Sequence, residues 1–390
     1  MQHILTINGG SSSIKFALFQ ATQTLTRLIS GQIKHIGTPG AVLEITDLTT
    51  NKSEHHKVTQ TDKDSVLHFL FLFIEKRVAF DQIAAVGHRI VHGGIRYSEP
   101  QLISPEVLDY LNQIRSYDPE HLPLEIGLIR AIAKEHPKTP QVACFDTAFH
   151  KTMPQVAKML PIPRRYFDQG VMRFGFHGLS YTFLMDELHR TEGAAASNGK
   201  VILAHLGNGA SMTAVLNGQS MDTTMAFTPA AGLVMSSRSG DLDPGLVGYL
   251  ARIEHMTAVQ FSAMANFEAG LLGVSETSAD MSTLLEHEKQ DPRAAEAVDL
   301  FCYSARKYIG AYAAVLNGLD TLVFAGGIGE NAGTIRARIC DGLQFLGVTL
   351  DPTQNDANAP LISAESSRVR VHVIKTDEEQ QIARDVLRLI

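Results

Sequence analysis

Eight side chains of this sequence have the type and setting that chemistry on a phosphoryl group asks for: Asn8, Lys15, Arg89, His121, Asp146, His177, Arg238 and Glu378. Most stand beside small-residue turns or at the ends of apolar runs. Guanidinium forks and a lysine next to glycine turns suit a transferring phosphoryl group, whose charge spreads over its equatorial oxygens. An acid and a neutral amide are hard oxygen donors of the kind that anchor Mg²⁺ on a phosphate chain. The chain has no Gly-x-x-x-x-Gly-Lys-Ser/Thr loop and no His-Arg-Asp loop of the protein-kinase type. The phosphate must therefore be held by some other device.

That device is read from two matching stretches. Residues 201–218 run apolar to His205, turn through Gly207-Asn208-Gly209, and leave as a second apolar run ending near Leu216. Asn-Gly between apolar segments is a hairpin signal, because both residues tolerate positive φ. Glycines also let backbone N–H groups approach an anion. Residues 4–19 repeat this grammar, with Asn8-Gly-Gly-Ser-Ser-Ser13 as the turn and Lys15 just beyond it. The copies start roughly 200 residues apart, about one domain length. They predict two related domains holding one phosphate chain.

The rest of the sequence is read as what positions these turns. Residues 25–60 predict a meander broken at Gly37, Pro39 and Gly40; 64–77 predict a helix capped by Asp64. A buried strand over 83–91 carries Arg89 into Gly93-Gly94. Helices are expected at 106–115 and 124–136. A strand over 141–146 ends in Asp146, a position that faces ligands in α/β sheets or else caps the following helix. A helix ends near Glu192, and 192–200 reads as a surface loop.

Asp243-Pro244 predicts a helix start, with Asp243 as cap and Pro244 at the first helical position. Further helices are expected at 258–268, 280–288 and 292–316. A strand over 319–325 meets Gly326-Gly-Ile-Gly-Glu-Asn331, with Asn331 capping a helix over 334–346; a glycine turn before a helix is a place for an anion or nucleotide. Residues 351–368 read as loop, 369–374 as an alternating strand, and Thr376-Asp-Glu-Glu379 opens a closing helix.

Composition bounds the function. The 390 residues allow two or three domains. A formal net charge of −7, with no offsetting basic block, argues against a nucleic-acid partner. Cys144, Cys302 and Cys340 are too scattered for a disulfide framework or metal cluster and fit reduced thiols in a cytoplasmic protein. The apolar patch 68–74 is too short to span a bilayer, and no signal-like segment opens the chain. A cytoplasmic protein with no membrane partner is expected.

Eight motifs in order make the chain resemble the acetate kinase family: Asn8-Gly-Gly-Ser-Ser-Ser-Ile-Lys15, Gly87-His-Arg-Ile-Val-His-Gly-Gly94, Phe145-Asp-Thr-Ala-Phe-His150, Arg173-Phe-Gly-Phe-His-Gly178, His205-Leu-Gly-Asn-Gly209, Arg238-Ser-Gly-Asp-Leu-Asp-Pro244, Gly327-Ile-Gly-Glu-Asn331 and Thr376-Asp-Glu-Glu379. The resemblance implies an α/β fold of two duplicated actin/Hsp70-like (ribonuclease H-like) domains with a central cleft. The expected divisions are an N-terminal domain over 1–149, a nucleotide-binding domain over 150–375, and a closing helix over 376–390 packed back on the first. It also implies Mg²⁺- or Mn²⁺-dependent transfer between ATP and a short carboxylate, giving acyl phosphate and ADP, by a homodimer formed through the C-terminal half.

By that similarity Asp146 positions or deprotonates the acceptor, Arg89 and Arg238 bind the carboxylate and the transferring group, and His177 and His121 act with them. Asn8 and Glu378 hold the metal. Ser13, Lys15, His205, Leu206, Gly207, Asn208 and Gly209 meet the phosphates. Asp280, Met281 and Ser282, with Gly327, Ile328, Gly329, Glu330 and Asn331, frame adenosine; Val91, Phe176 and Pro229 meet the acyl tail.

Two sequence departures stand out. The family's Pro-Leu-His-Asn-Pro is here Pro119-Glu-His-Leu-Pro123, which puts Glu120 near a methyl-sized pocket, and Ser282 stands where arginine is frequent. The chain also stops soon after its closing helix. Acetate is the expected acceptor, with propionate or another short acid as the alternative. Four bland readings also stay open at this point: Arg89 and Asp146 as a structural ion pair, His177 as a satisfied core histidine, Lys15 as a solvated strand residue, and Glu378 as a first-turn acid favoured by the helix dipole. From another class, a nucleotide-gated actin/Hsp70-like binding protein remains open.

Overall fold

The apolar runs become the central strands of two sheets. A computed structural model describes residues 2–10, 13–21, 25–36, 38, 40–59 and 63–390, leaving aside the side chains of residues 63 and 64. Ser11 and Ser12 of the first turn, the breaks expected at Gly37 and Pro39, and the capping role of Asp64 lie outside the described residues. The chain divides into two units, Met1–Ala148 with Asp377–Ile390, and Phe149–Thr376.

In unit 1 the strands are β1 (His3–Gly9), β2 (Ile14–Gln20), β3 (Thr26–Lys34), β4 (Val42–Asp47), β5 (Lys52–Lys57), β6 (Ile83–Ile90), β7 (Gln101–Leu102) and β8 (Gln141–Phe145), in the spatial order β5-β4-β3-β2-β1-β6-β8-β7. β1 to β5 are an antiparallel meander, whereas β6 pairs parallel with β1 and β8 parallel with β6. β1 and β8 are buried at every position, as strands covered on both faces must be. The outer β5, Lys-Ser-Glu-His-His-Lys, is mostly exposed and charged, which protects a free edge. Leu5, Ile7, Phe16, Leu18 and Leu43 from the sheet pack with Val66, Leu70, Leu128 and Ile132 from the Lys63–Glu75 and Leu122–Glu135 helices.

Unit 2 holds β9 (Lys200–Leu206), β10 (Ala210–Leu216), β11 (Gln219–Thr223), β12 (Thr321–Ala325) and β13 (Arg370–Val373), in the order β11-β10-β9-β12-β13. β9 to β11 are antiparallel; β12 and β13 continue in parallel. The order and the change from antiparallel to parallel match β3-β2-β1-β6-β8 of unit 1. The duplication expected from the two hairpins is thus present in the strand order of both sheets.

The hairpin logic needs one correction. None of Gly207, Asn208 and Gly209 takes positive φ; the turn closes with Gly207 N–H donating to the Gly209 carbonyl at 3.1 Å. The left-handed Asn-Gly pair lies nine residues on, where Asn217 (φ 52) and Gly218 (φ 74) join β10 to β11, a strand the hydrophobic pattern did not reveal.

Other boundaries also move. The expected 192–200 loop contains a short helix, Ala194–Ser197, and Gly270–Ser275 is a helix that glycine content masked. The third helix of unit 1 starts at Leu122, placing Pro123 inside its first turn. In unit 2 the helix after Asp243 starts at Gly245, with Pro244 at the cap position, and Asp243 Oδ1 accepts from Gly245 N–H at 2.7 Å. Gly326–Asn331 is itself helical, and Asn331 does not cap the next helix. Its amide donates back to the Gly327 carbonyl at 2.9 Å. The following helix, Gly333–Cys340, ends six residues before the expected 346. Pro352–Asp356 is a short helix capped by Asp351 inside the expected loop. β13 is buried over Val371, His372 and Val373, so its alternation in sequence does not mark an exposed face.

Candidate active site

In unit 1 the site residues cluster at the carboxyl ends of three neighbouring parallel strands, where α/β sheets hold their ligands. Asn8 is the penultimate residue of β1, Arg89 the penultimate residue of β6, and Asp146 directly follows β8. Parallel register sets Arg89 opposite Cys144 and Ile90 opposite Phe145, which brings the guanidinium to Asp146. Arg89 Nε and Nη2 both donate to Asp146 Oδ2, at 3.0 and 2.6 Å. Asp146 does not cap a helix. Its other oxygen, Oδ1, is buried without a hydrogen-bond partner.

Burial raises the Asp146 carboxyl above its usual range against the opposing pull of Arg89. Burial works against the Arg89 charge, yet Asp146 and Glu378, joined by Glu125 only when that carboxyl is ionised, hold it more firmly than usual. His121, at the start of the Leu122–Glu135 helix, is buried, and its Nδ1 lies 2.9 Å from Asp118 Oδ1. His121 also opposes the rise of the Asp146 carboxyl.

The Glu378–Leu389 helix supplies the remaining acid. Asp377 caps it by accepting from Gln380 N–H at 2.9 Å and pairs with Arg27. Asn8 Nδ2 donates to Glu378 Oε2 at 2.9 Å, which leaves the Asn8 amide oxygen as the atom to meet a cation. Among the described residues no group of three or more His, Cys, Asp or Glu side chains forms a metal cage. An amide oxygen and a carboxylate suit Mg²⁺, which takes one or two protein oxygens and completes its shell with phosphates and water.

Lys15 is exposed on β2 and, with Glu379, lines a cavity of about 390 Å³. Ser13 accepts the Gly10 N–H on its carbonyl at 2.7 Å. Val91 is buried two residues after Arg89.

In unit 2 two turns meet at the ends of the parallel pair β9 and β12, whose register sets His205 opposite Ala325. Gly326 (φ 76) is packed so closely on Leu206 that an added Cβ would lie 2.7 Å from the Leu206 carbonyl oxygen. Gly207 stands against the Gly327 backbone, and Ser236 N–H donates to the Asn208 carbonyl at 3.2 Å. Gly209 lies beside His177 and Arg238: a Cβ there would be 3.3 Å from His177 Nε2 and 3.7 Å from Arg238 Nη1. Arg238 Nη1 donates to the Pro229 carbonyl at 3.3 Å.

His177 takes a left-handed conformation (φ 60) at the N-terminus of the Gly178–Glu192 helix. Its Nδ1 lies 2.8 Å from Ser211 Oγ, which itself meets the Tyr181 hydroxyl at 2.5 Å. The His177 and His205 rings stack with centroids 4.3 Å apart. His205 Nδ1 is held by Ser180 Oγ at 2.8 Å, and that serine also meets Thr376. Phe176 is buried, with its carbonyl 3.1 Å from His150 Nε2.

Some expected nucleotide contacts have structural duties. Asp280 Oδ1 caps the Met281–His287 helix at Thr283 N–H and accepts from Ser282 Oγ at 2.5 Å. Met281 and Leu206 are buried, so their backbone rather than their side chains can meet a ligand. Glu330 Oε1 accepts from Gly326 N–H at 2.9 Å and from Thr376 N–H at 3.0 Å, tying the glycine turn to the last residue of the unit. Ile328 and Gly329 lie inside the same short helix.

Sequence reasoning missed Asp118, Ser211, Ser180 and Glu125. The first sits three residues before His121, a spacing that was visible. The two serines were not foreseeable, since each meets its histidine only through tertiary packing. Glu125 had a signal: it interrupts the buried stripe Leu122, Ile129, Ile132 of its helix.

Comparison with known proteins gives one consistent result. The sequence model described as the acetokinase family matches residues 3–384. The acetate kinase of Rhodopseudomonas palustris is 45% identical over 394 residues, covering 99% of this chain and 98% of that one. Among solved structures, a propionate kinase from Francisella tularensis has a TM-score of 0.93 at 34% identity, covering 99% of each chain. The Porphyromonas gingivalis acetate kinase has a TM-score of 0.90, also at 34% identity, covering 100% of each.

Proposed function

The chain belongs to the acetokinase family, with its duplicated actin/Hsp70-like α/β fold, and from that premise we propose that it transfers the γ-phosphoryl of ATP reversibly to acetate. The products are acetyl phosphate and ADP. The observation that carries the reading is the buried Arg89–Asp146 pair, in which Asp146 takes both donated hydrogen bonds on one oxygen and keeps the other unpartnered.

A short carboxylic acid is already ionised at neutral pH, so the acceptor needs a cation to orient it more than a base to deprotonate it. Arg89 supplies that cation, and Asp146 holds the guanidinium in one orientation. A carboxylate oxygen then attacks the γ-phosphorus, and the bond from phosphorus to the ADP oxygen breaks. Charge developing on the transferring group is met by Arg238 and by His177, whose Nδ1 is engaged by Ser211 while Nε2 faces Gly209. His121, fixed by Asp118, assists Asp146. Val91, Phe176 and Pro229 meet the acyl tail.

Ser13, Lys15 and the 205–209 turn bind the phosphate chain; the 327–331 turn and the backbone of 280–282 bind adenosine. Asn8 and Glu378 hold a Mg²⁺ ion, which neutralises phosphate charge when bound. The protein works in the cytoplasm, a reading its three free, buried cysteines support. No helix among the described residues is long and apolar enough to cross a membrane. A homodimer is supported by exposed Tyr249, Ile253, Val259 and Phe267 on the Gly245–Ile253 and Ala258–Phe267 helices of unit 2.

Propionate is the second reading, favoured by the likeness to the Francisella propionate kinase. One methylene changes pocket energy by only ~1–3 kcal/mol. Hydroxamate trapping with acetate, propionate and butyrate, ATP and Mg²⁺ separates them. Acetate turning over best is the expected result; turnover only with a longer acid would replace acetate, and none with any acid would end the kinase reading.

A further inference from the structure

We propose that Glu125 is a positioning residue for the acceptor carboxylate, fixing the Val91 backbone and setting how much of the Arg89 charge is left for the substrate. The inference rests on the acyl-phosphate reading above and goes beyond it, since Glu125 has no part in the roles assigned there.

Glu125 lies one turn into the Leu122–Glu135 helix, on its buried face, and is 1% exposed. Its Oε2 accepts the Val91 N–H at 3.0 Å, just past the end of β6, where the backbone donor has no strand partner. Its Oε1 is buried with no hydrogen-bond partner. A carboxyl in the middle of an apolar stripe, tied to the segment that carries Arg89 and Val91, is a costly arrangement that core packing alone does not call for.

The charged groups that act on it are Arg89, from β6, with Asp118 and Asp146 from the turns nearby. Burial pushes the Glu125 carboxyl up to about 8, with Asp118 and Asp146 adding to the rise and Arg89 and the Val91 N–H opposing it. At pH 7 the group is therefore mostly a neutral acid. Arg89 already answers to Asp146 and Glu378. A neutral Glu125 adds no third anion, so the incoming carboxylate meets a guanidinium with charge to spare. Once Glu125 ionises, it competes for that same guanidinium and repels the acceptor.

The test measures KM and kcat for acetate, and KM for ATP, from pH 6.5 to 9.5 in the full chain, its Glu125→Gln variant and its Glu125→Ala variant. In the unaltered chain KM for acetate should climb above pH ~8, approaching tenfold per pH unit as the competent form is depleted, while kcat and KM for ATP hold. Gln keeps an acceptor for the Val91 N–H and cannot ionise, so Glu125→Gln should show a flat profile over that range. Glu125→Ala should raise KM for acetate at every pH.

The inference is overturned if Glu125→Gln follows the unaltered chain through the alkaline range, or if Glu125→Ala keeps the normal KM for acetate. Infrared difference spectra against Glu125→Gln decide its charge state without turnover. A protonated-carboxyl band should be present at pH 7 and lost as pH passes ~8; no such band at pH 7 also overturns the inference. A chain that phosphorylates no short acid while showing that band would sink the proposed function and leave the charge state of Glu125 established.

Discussion

Asn8 and Glu378, 370 positions apart in the chain, are joined by a 2.9 Å hydrogen bond from amide to carboxylate. The bond holds the N-terminus of the Glu378–Leu389 helix against the end of β1, and the helix packs along β1, β6 and β8. What lets it lie so close is Gly87: a Cβ there would stand 2.4 Å from Ile382 Cγ2 and 2.6 Å from Val386 Cγ2.

Gly87→Ala should therefore push this helix off its seat. Both clashing methyls sit on branched β-carbons with little freedom to turn away. We expect a loss of ~1–3 kcal/mol in urea unfolding, with a higher Mg²⁺ concentration needed for half-maximal activity. Unchanged stability would show that the strands and helix can part at no cost.

Arg89 and Asp146 should behave as a coupled pair. Removing either leaves the other charge buried, so Arg89→Gln and Asp146→Asn should each cost ~3–5 kcal/mol, and the double variant less than their sum. Acyl phosphate formation should fall by ~10²–10³-fold in each single variant. Additive losses in denaturant melts, or turnover surviving in Arg89→Gln, would deny the pair its place in the site.

Ser211 reaches the chemistry through His177. Ser211→Ala removes the Nδ1 partner and frees the ring to choose its tautomer, so kcat should fall by roughly tenfold or more while KM for ATP stays put. A fall in KM-type affinity with kcat intact would place His177 in ground-state binding instead.

Buried neutral histidines should make part of the stability acid-sensitive. His150 is pushed down to about 4 by burial, with Arg173 and Lys158 adding to the fall and the Phe176 carbonyl opposing it. Because its folded value lies below its unfolded value of ~6.5, the stability it confers is intact above that pH. It is lost as pH falls from ~6.5 towards 4. His150→Gln should unfold more easily at pH 7, yet lose about 1–2 kcal/mol less than the unaltered chain between pH 7 and pH 5. Parallel pH slopes for the two would contradict this.

What the sequence revealed and what it hid divide along a physical line. Long apolar runs gave β1, β6, β8, β9 and β12, because central strands buried on both faces need little else to be recognised. The residues at their carboxyl ends followed directly, and Arg89 and Asp146 do meet. Short helices rich in glycine or small residues, such as Ala194–Ser197 and Gly326–Asn331, stayed hidden because tertiary contacts override their weak local propensity. The Asn217-Gly218 turn is legible as an Asn-Gly pair, but Gly207-Asn208-Gly209 is the more conspicuous glycine cluster. Ser180 and Ser211 could not be seen at all, since their histidine partners lie 25 and 34 positions away.

The helix that completes unit 1 follows all of unit 2 in the sequence. On the ribosome, the portion of the protein made first is thus sealed last. β1, β6 and β8 must wait, one face uncovered, until Ile382, Ala383 and Val386 emerge to cover them. Unit 2, Phe149–Thr376, is by contrast one continuous stretch, so every residue it contains is made before that helix begins.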